Sequence, residues 1–213
     1  MHDIKPEELI RIGLLELGIP PSDEQINAFM TYLSELKKWN KAYNLTGLKE
    51  DEEIITMHFL DSLLYLRAMP DETITLADIG TGAGFPGIPI KIIRPDIQMY
   101  LIEPSGKKAA FLRHIIRQIQ LEQIAVIEKR IEEVRVNKEL PCAVDIGVTR
   151  ALFDIGKFIK KASHIMRPGG ILILNKGPKV HEETAKIGDL SYTLLTVDLP
   201  LSDIKRYIVR VTL

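Results

Sequence analysis

ITLADIGTGAGFPG, residues 74–87, decides how the whole chain is read. A short apolar strand runs into an acid, Asp78, and then into glycines at positions 80, 82, 84 and 87. Glycines this close together let the backbone turn sharply after a strand and approach a ligand without a Cβ in the way. The turn opens a helix, whose free N–H groups and positive dipole end face whatever binds there. The pattern is that of a nucleotide-type cofactor site. A tight turn with no ligand is the plainer alternative, but a simple turn needs fewer glycines, and each one costs backbone entropy.

The identity of the cofactor turns on charge and spacing. Residues 82–87 satisfy GxGxxG, the dinucleotide fingerprint, in which the first glycine directly follows the strand so that the pyrophosphate sits on the helix N-terminus. Here the glycine series begins earlier, at Gly80, and Asp78 precedes it. A carboxylate beside the turn repels a pyrophosphate and attracts a cation. S-adenosylmethionine has no phosphate and carries both an ammonium and a sulfonium. The form D-x-G-x-G-x-G, here Asp78, Gly80, Gly82 and Gly84, is the one methyltransferases use, and the methyl donor is favoured over a dinucleotide.

The next strand, QMYLIE (98–103), ends in Glu103. A βαβ unit delivers an acid to the ribose hydroxyls at this interval, about twenty residues past the glycines. Both cofactors carry that ribose, so Glu103 points to a nucleoside without choosing between them. Three further groups fall at strand ends, where ligands bind in open α/β sheets. Arg130-Ile131-Glu132 follows the third strand, where it would cover an adenine or simply start a helix. Thr149-Arg150-Ala151 follows the fourth strand, where an arginine would meet a ligand or form a structural ion pair. Asn175-Lys176-Gly177 ends the fifth strand, where Lys176 would meet a phosphate or a base or remain solvated.

Two regions separate along the chain. Residues 1–70 read as a helical cap segment: Ser22 and Gln25 form a capping box, followed by Ile26, Phe29, Met30, Leu33 and Leu36 at helical spacing up to Trp39. A further helix is expected from Ile54 through Leu66. Residues 71–213 alternate strand and helix, with strands near 74–79, 98–103, 124–128, 143–149 and 170–175 and helices near 87–93, 105–120, 132–138 and 151–166. Such alternation implies a parallel sheet with right-handed crossovers. After a helix near 180–187, the runs 191–198 and 205–213 are too close for a crossover helix, so they form an antiparallel hairpin. The expected architecture is α/β and Rossmann-like: a mostly parallel seven-stranded sheet ending in that hairpin, packed as one unit with the N-terminal helical segment.

Composition bounds the rest. The chain has 213 residues, 46% hydrophobic and 27% charged, with a formal net charge of −1, which are globular values. No apolar run reaches the roughly twenty residues that span a bilayer, and MHDIKPEELI lacks the regions of a signal peptide. A single cysteine, Cys142, excludes an internal disulfide and a cysteine-based zinc site. A cytoplasmic monomer with no metal is expected. Lysines and arginines gather in patches: Lys37 and Lys38 with Lys41, Lys107 and Lys108 with Arg113 and Arg117, Lys129 with Arg130, and Lys205 and Arg206 with Arg210. Each patch alone reads as a solvated face; beside a cofactor cleft the first two would form an RNA-binding rim.

The fourth strand ends in VTRALF, without the Asn/Asp-Pro-Pro-aromatic motif that polarises exocyclic amines and without the cysteine nucleophile of 5-methylpyrimidine formation. A ring nitrogen such as guanine N7 needs neither, because it attacks the methyl directly and releases no proton. A carboxylate or an oxygen acceptor would also lack both devices.

The blocks WNKAYNLT (39–46), HFLDS (58–62), Asp78 to Pro89, Ser105-Gly106-Lys107-Lys108 with Phe111-Leu112, Thr149-Arg150-Ala151 and Lys176-Gly177 together span nearly the whole chain. In this order they resemble the bacterial 16S ribosomal RNA guanine-N7 methyltransferase family, once called glucose-inhibited division protein B. The resemblance implies the class I S-adenosylmethionine-dependent methyltransferase fold and methylation of guanine N7 in 16S rRNA of the 30S subunit. It places cofactor contacts on Gly80, Phe85, Ile131, Glu132 and Arg150, with Glu103 on the ribose. Asn44, His58, Asp61 and Ser62 would cap the cleft, and His58 and Arg150 would take substrate-side roles. Ala83 and Phe85 stand where proline and leucine are frequent in the family, and Glu103-Pro104 where Asp-Ser is common; charge and shape are kept. A small-molecule methyltransferase, a dinucleotide oxidoreductase and a non-catalytic RNA-binding assembly factor are the competing readings.

Overall fold

The computed structural model describes residues 4–150, 154–185, 187 and 189–213. Seven strands form one sheet: β1 (Thr75–Ile79), β2 (Gln98–Ile102), β3 (Ile124–Ile127), β4 (Val144–Arg150), β5 (Met166–Lys176), β6 (Tyr192–Asp198) and β7 (Lys205–Thr212), in the order β3-β2-β1-β4-β5-β7-β6. The pairs among β1 to β5 are parallel, while β7 runs antiparallel to both β5 and β6. This is the expected Rossmann-like sheet with its terminal hairpin. The strand order reverses at β1, between β2 and β4, so the C-terminal ends of these strands frame a crevice. β1 and β2 are buried on both faces, which is why they read as unbroken apolar runs.

The N-terminal helices are α1 (Pro6–Glu16) and α2 (Asp23–Tyr43). Ser22 caps α2: its hydroxyl accepts the Gln25 N–H while Gln25 Oε1 accepts the Ser22 N–H. The apolar stripe of α2 buries Phe29, Tyr32, Leu33 and Leu36 in a core cluster that also contains Leu76, Ile88 and Met99 of the sheet region. The Tyr32 hydroxyl, fully enclosed, donates to the Ala83 carbonyl at 2.6 Å. A buried phenol needs such a partner, and this one ties α2 to the glycine turn.

The helix expected from Ile54 to Leu66 is composite. It passes from α3 (Asp51–Ile54) through a π-helical stretch at Ile55–Leu60 to α4 (Asp61–Leu63), and tightens to a 3-10 turn at Leu64–Ala68. π-turns widen the backbone and occur mostly where function demands it; this one contains His58. The remaining helices are α5 (Gly87–Ile93), α6 (Gly106–Gln118), α7 (Ile155–Ala162) and α8 (Val180–Thr184).

Three expectations need correction. The helix near 132–138 is only a 3-10 turn, Ile131–Glu133, after which the chain reaches a left-handed Asn137 (φ 63°) between the bridged Val136 and Leu140. The helix near 151–166 is shorter, because β5 begins at Met166 and not at 170; residues 151–153 lie outside the described residues. The helix near 180–187 stops at Thr184.

Gly84 shows how tightly the turn is built. Its φ is +106°, and a Cβ there would stand 2.5 Å from the Tyr32 hydroxyl and 2.6 Å from Ile88 Cδ1. Gly84→Ala is therefore expected to destabilise the protein by about 2–4 kcal/mol in urea unfolding; a loss below about 0.5 kcal/mol, the scale of an ordinary surface change, would contradict this packing.

Candidate functional site

The glycine turn is held from behind by the two acids singled out in the sequence. Glu103 Oε2 accepts the Gly82 N–H and its Oε1 accepts the Ser105 N–H, both at 2.9 Å, so one carboxylate joins the ends of β1 and β2. Asp78 Oδ2 accepts the Gly87 N–H at 2.8 Å. Asp78 is wholly enclosed and Glu103 is 5% exposed. Asp78 therefore does not reach the cleft surface, and the charge it offers a ligand acts through the turn and across a short distance.

That charge is held at a cost. Burial pushes the Asp78 carboxyl up to about 7, against the opposing pull of Thr81, the Gly87 N–H and Arg150. Its Oδ1 has no hydrogen-bond partner, and although Thr81 lies close, the Thr81 hydroxyl completes no hydrogen bond either. Buried acids left in this condition cluster at functional sites. In front of them Gly82 has φ +63°, and nothing stands within 4 Å of where its Cβ would be. A buried unpaired acid behind an open glycine cradle fits a nucleoside cofactor with a positive charge. The cleft is about 180 Å³ and is lined by residues that include Gly80, Thr81, Gly82, Ala83, Phe85, His58 and Arg150.

Arg150, at the end of β4, faces this cleft. Its Nη1 donates to the Met57 carbonyl at 3.0 Å and its Nη2 donates to His58 Nδ1 at 2.9 Å. Its guanidinium carbon lies 4.9 Å from the centre of the Phe85 ring, on which the His58 ring also stacks at 4.5 Å. An arginine has no acceptor, so Nδ1 of His58 carries the lone pair and Nε2–H donates to Thr46 Oγ1 at 2.7 Å. Burial first, then the Arg150 charge, lowers the His58 pKa to about 3. The ring is neutral, with both nitrogens engaged. It positions Arg150 and is a poor proton acceptor.

Beyond Arg150 opens a second depression of about 510 Å³. It shares Thr46, His58 and Arg150 with the cleft and adds Asp61, Asn175 and Arg206. Asp61 is 4% exposed; its Oδ1 accepts from Asn175 Nδ2 at 3.1 Å and from Arg206 Nε at 2.6 Å, and its Oδ2 lies 3.7 Å from Arg150 Nη1. This network joins α4, β4, β5 and β7 around the mouth. Tyr65 braces it from below, donating to the Thr149 carbonyl at 2.6 Å while accepting the Asn175 N–H at 3.2 Å.

The structure brings Gly80, Gly82, Phe85, His58 and Arg150 together around one cleft. Glu103 supports it from behind, and Gly84 shapes the turn without lining the cleft. Ile131 is buried in the core on the other side of the sheet, and Glu132 pairs with Lys161, so neither lines the cleft. Lys176 borders the depression and is salt-bridged to Glu183 at 2.9 Å. Lys37, Lys41 and Asn44 lie on a separate groove, while Lys38 is exposed beside Glu35. Lys107 and Lys108 start α6, on the sheet edge where the cleft lies. Nothing local in the sequence marks Arg206 as the partner of Asp61, or the Tyr32 and Tyr65 hydroxyls as supports of the turn and the mouth. Tyr32 falls on the apolar stripe of α2, and the only local signal is that a buried phenol wants an acceptor.

Residues 25–200 match the GidB family, described as rRNA small subunit methyltransferase G. A ribosomal RNA small subunit methyltransferase G from Acetivibrio thermocellus is 35% identical, covering 97% of this chain and 88% of its own. One from Methylobacillus flagellatus is 32% identical, covering 95% and 96%. Among solved structures, an S-adenosylmethionine-dependent methyltransferase from Aquifex aeolicus superposes with a TM-score of 0.54 at 16% identity, covering 84% of this chain and 97% of that one. A likeness at that identity concerns the fold.

Proposed function

The chain belongs to the rRNA small subunit methyltransferase G family, and from that premise we propose that it methylates N7 of a guanine in 16S rRNA. S-adenosylmethionine, when bound, supplies an electrophilic methyl group on its sulfonium. The glycine turn at Gly80 and Gly82 would seat the nucleoside end, with Glu103 behind it on the ribose side, and Phe85 and Arg150 would face the reacting end. The guanine would enter the depression bordered by Asp61, Asn175 and Arg206. The observation that carries this reading is the shared wall: Thr46, His58 and Arg150 line both the cleft and the depression, so donor and acceptor meet at Arg150.

The choice of a ring nitrogen is supported by what surrounds that junction. An exocyclic amine must lose a proton, and a base must receive it. The lone pair of His58 is held by Arg150, and the Asp61 carboxylate is held in ion pairs with two arginines, its Oδ1 accepting from Asn175 and Arg206 and its Oδ2 3.7 Å from Arg150 Nη1. No proton acceptor stands ready at the mouth among the described residues. Attack by N7 forms a C–N bond as the C–S bond breaks, and no proton leaves. Catalysis then rests on alignment and electrostatics. The N-terminal residues 1–70 would act as a cap, linked to the turn through Tyr32 and to the junction through His58.

The test uses labelled S-adenosylmethionine and 30S subunits from a strain lacking this modification. Transfer to 16S rRNA is expected; transfer to neither 30S nor naked RNA would refute the reading. Glu103→Ala is expected to weaken S-adenosylhomocysteine binding by about 1–3 kcal/mol, because the Gly82 and Ser105 N–H groups lose their shared acceptor. Calorimetry showing unchanged affinity would remove Glu103 from the site.

A further inference from the structure

A third concavity, a groove of about 570 Å³, lies beside the depression that would hold the target base. The two share Thr46, Gly47 and Leu48, so the loop after α2 is a ridge with one hollow on each side. The ridge is anchored: the Thr46 N–H donates to Asn40 Oδ1 at 2.9 Å, and Thr46 Oγ1 accepts from His58 Nε2 at 2.7 Å and from the Leu48 N–H at 3.2 Å. At its crest Gly47 is exposed, with nothing within 4 Å of a Cβ position. Leu36 and Ile54 lie buried beneath the groove, the partly exposed Leu48 lends its ridge side an apolar wall, and its rim carries Lys37, Lys41 and Lys49. Lys37 pairs with Asp51, whereas Lys41 and Lys49 are exposed and form no ion pair among the described residues. Asn40, its oxygen taken by Thr46, has its NH₂ left as a donor.

We propose that this groove is a second RNA subsite, which holds the nucleotide adjacent to the target guanine while the 45–49 ridge keeps the two bases apart. The inference rests on RNA being the substrate. An enzyme that modifies a base must take it out of the stack, and something must occupy or hold the neighbouring strand. The apolar wall at Leu48 suits a base face, and the lysines without an ion pair, Lys41 and Lys49, suit the phosphate between the two nucleotides. The ridge also connects to chemistry, because Thr46 holds His58 and His58 holds Arg150. An adjacent nucleotide pressing on the ridge would bear directly on the residues aligning the methyl donor.

Steady-state methylation of unmodified 30S subunits over a range of salt concentrations tests this. Lys41→Glu and Lys49→Glu are each expected to raise KM about tenfold or more and to reduce the slope of log KM against log salt by about one. Gly47→Glu, which the backbone accommodates, should raise KM comparably. All three should bind S-adenosylhomocysteine as the wild type does, which separates RNA binding from folding or cofactor loss. Lys160→Glu on α7 makes the same charge change away from the groove and should leave KM alone. An active wild type whose KM and salt slope survive all three changes would overturn the subsite alone. A wild type inactive on 30S would overturn the underlying RNA reading and the subsite with it.

Discussion

Arg150→Ala is expected to lower kcat/KM for 30S methylation by about a hundredfold or more, the scale on which a preorganised charge at a reacting centre acts. Arg150 is the cation that lines both the cleft and the depression. Its guanidinium reaches the Met57 carbonyl, His58 Nδ1 and the face of Phe85 at once. Alanine leaves the His58 lone pair without a donor and removes the positive charge 3.7 Å from Asp61 Oδ2, so both ends of the acceptor pocket lose their alignment. The fold should survive, since Arg206 and Asn175 still satisfy Asp61. Arg150→Lys keeps the charge but not the planar fork and should recover only part of the rate. Activity of the alanine variant within about threefold of wild type, well under the 1.4 kcal/mol that makes a factor of ten, would remove Arg150 from the account.

Asp78→Asn should produce opposite effects on stability and on cofactor binding. The carboxyl titrates near 3.8 when exposed and about 7 in the fold. Below pH 4 it is protonated in both states and costs nothing. As pH rises from 4 to 7 the unfolded chain releases the proton while the folded chain retains it, so the wild type loses stability, by roughly 4 kcal/mol at most. Above pH 7 the full penalty remains. Urea unfolding should therefore show the asparagine variant gaining on wild type between pH 5 and pH 8, with little difference at pH 4. Above about pH 7, where the folded carboxyl is ionised, the variant should bind S-adenosylmethionine more weakly, because that buried negative charge favours a cationic ligand. A stability difference that does not change with pH would mean that Asp78 is not held protonated by the fold.

The alternation of strand and helix was legible because short unbroken apolar runs, the glycine turn and the short final connection are local signals. The terminal hairpin followed from the spacing of two runs alone. Where local signals conflict, the reading failed. Val134, Arg135 and Val136 mix apolar and charged residues in a way that suits one helical turn, but Asn137 adopts a left-handed conformation and the chain breaks away. The π-helical turn was invisible, since one extra residue in a turn leaves the apolar spacing of Ile55, Phe59 and Leu60 nearly unchanged. At the site, residue types at strand ends pointed to the edge of the sheet where the cleft opens. The direction in which Asp78 and Glu103 turn was not legible, because an acid at a strand end serves a ligand or the backbone with equal ease. The Asp61–Arg206 pair joins residues 145 positions apart and leaves no trace in either local stretch.

In the proposed reaction donor and acceptor meet at Arg150, and the acceptor is a guanine ring nitrogen. Borohydride reduction followed by aniline cleavage breaks RNA at N7-methylguanosine, because hydride addition to the methylated imidazolium ring labilises the glycosidic bond and aniline then cleaves the strand by β-elimination at the abasic ribose. Unmodified 30S subunits treated with this protein and S-adenosylmethionine should acquire one new cleavage site at a guanosine in 16S rRNA, and the site should be absent with Arg150→Ala. Label transferred to 16S rRNA without any new cleavage would place the methyl on another atom and contradict the account.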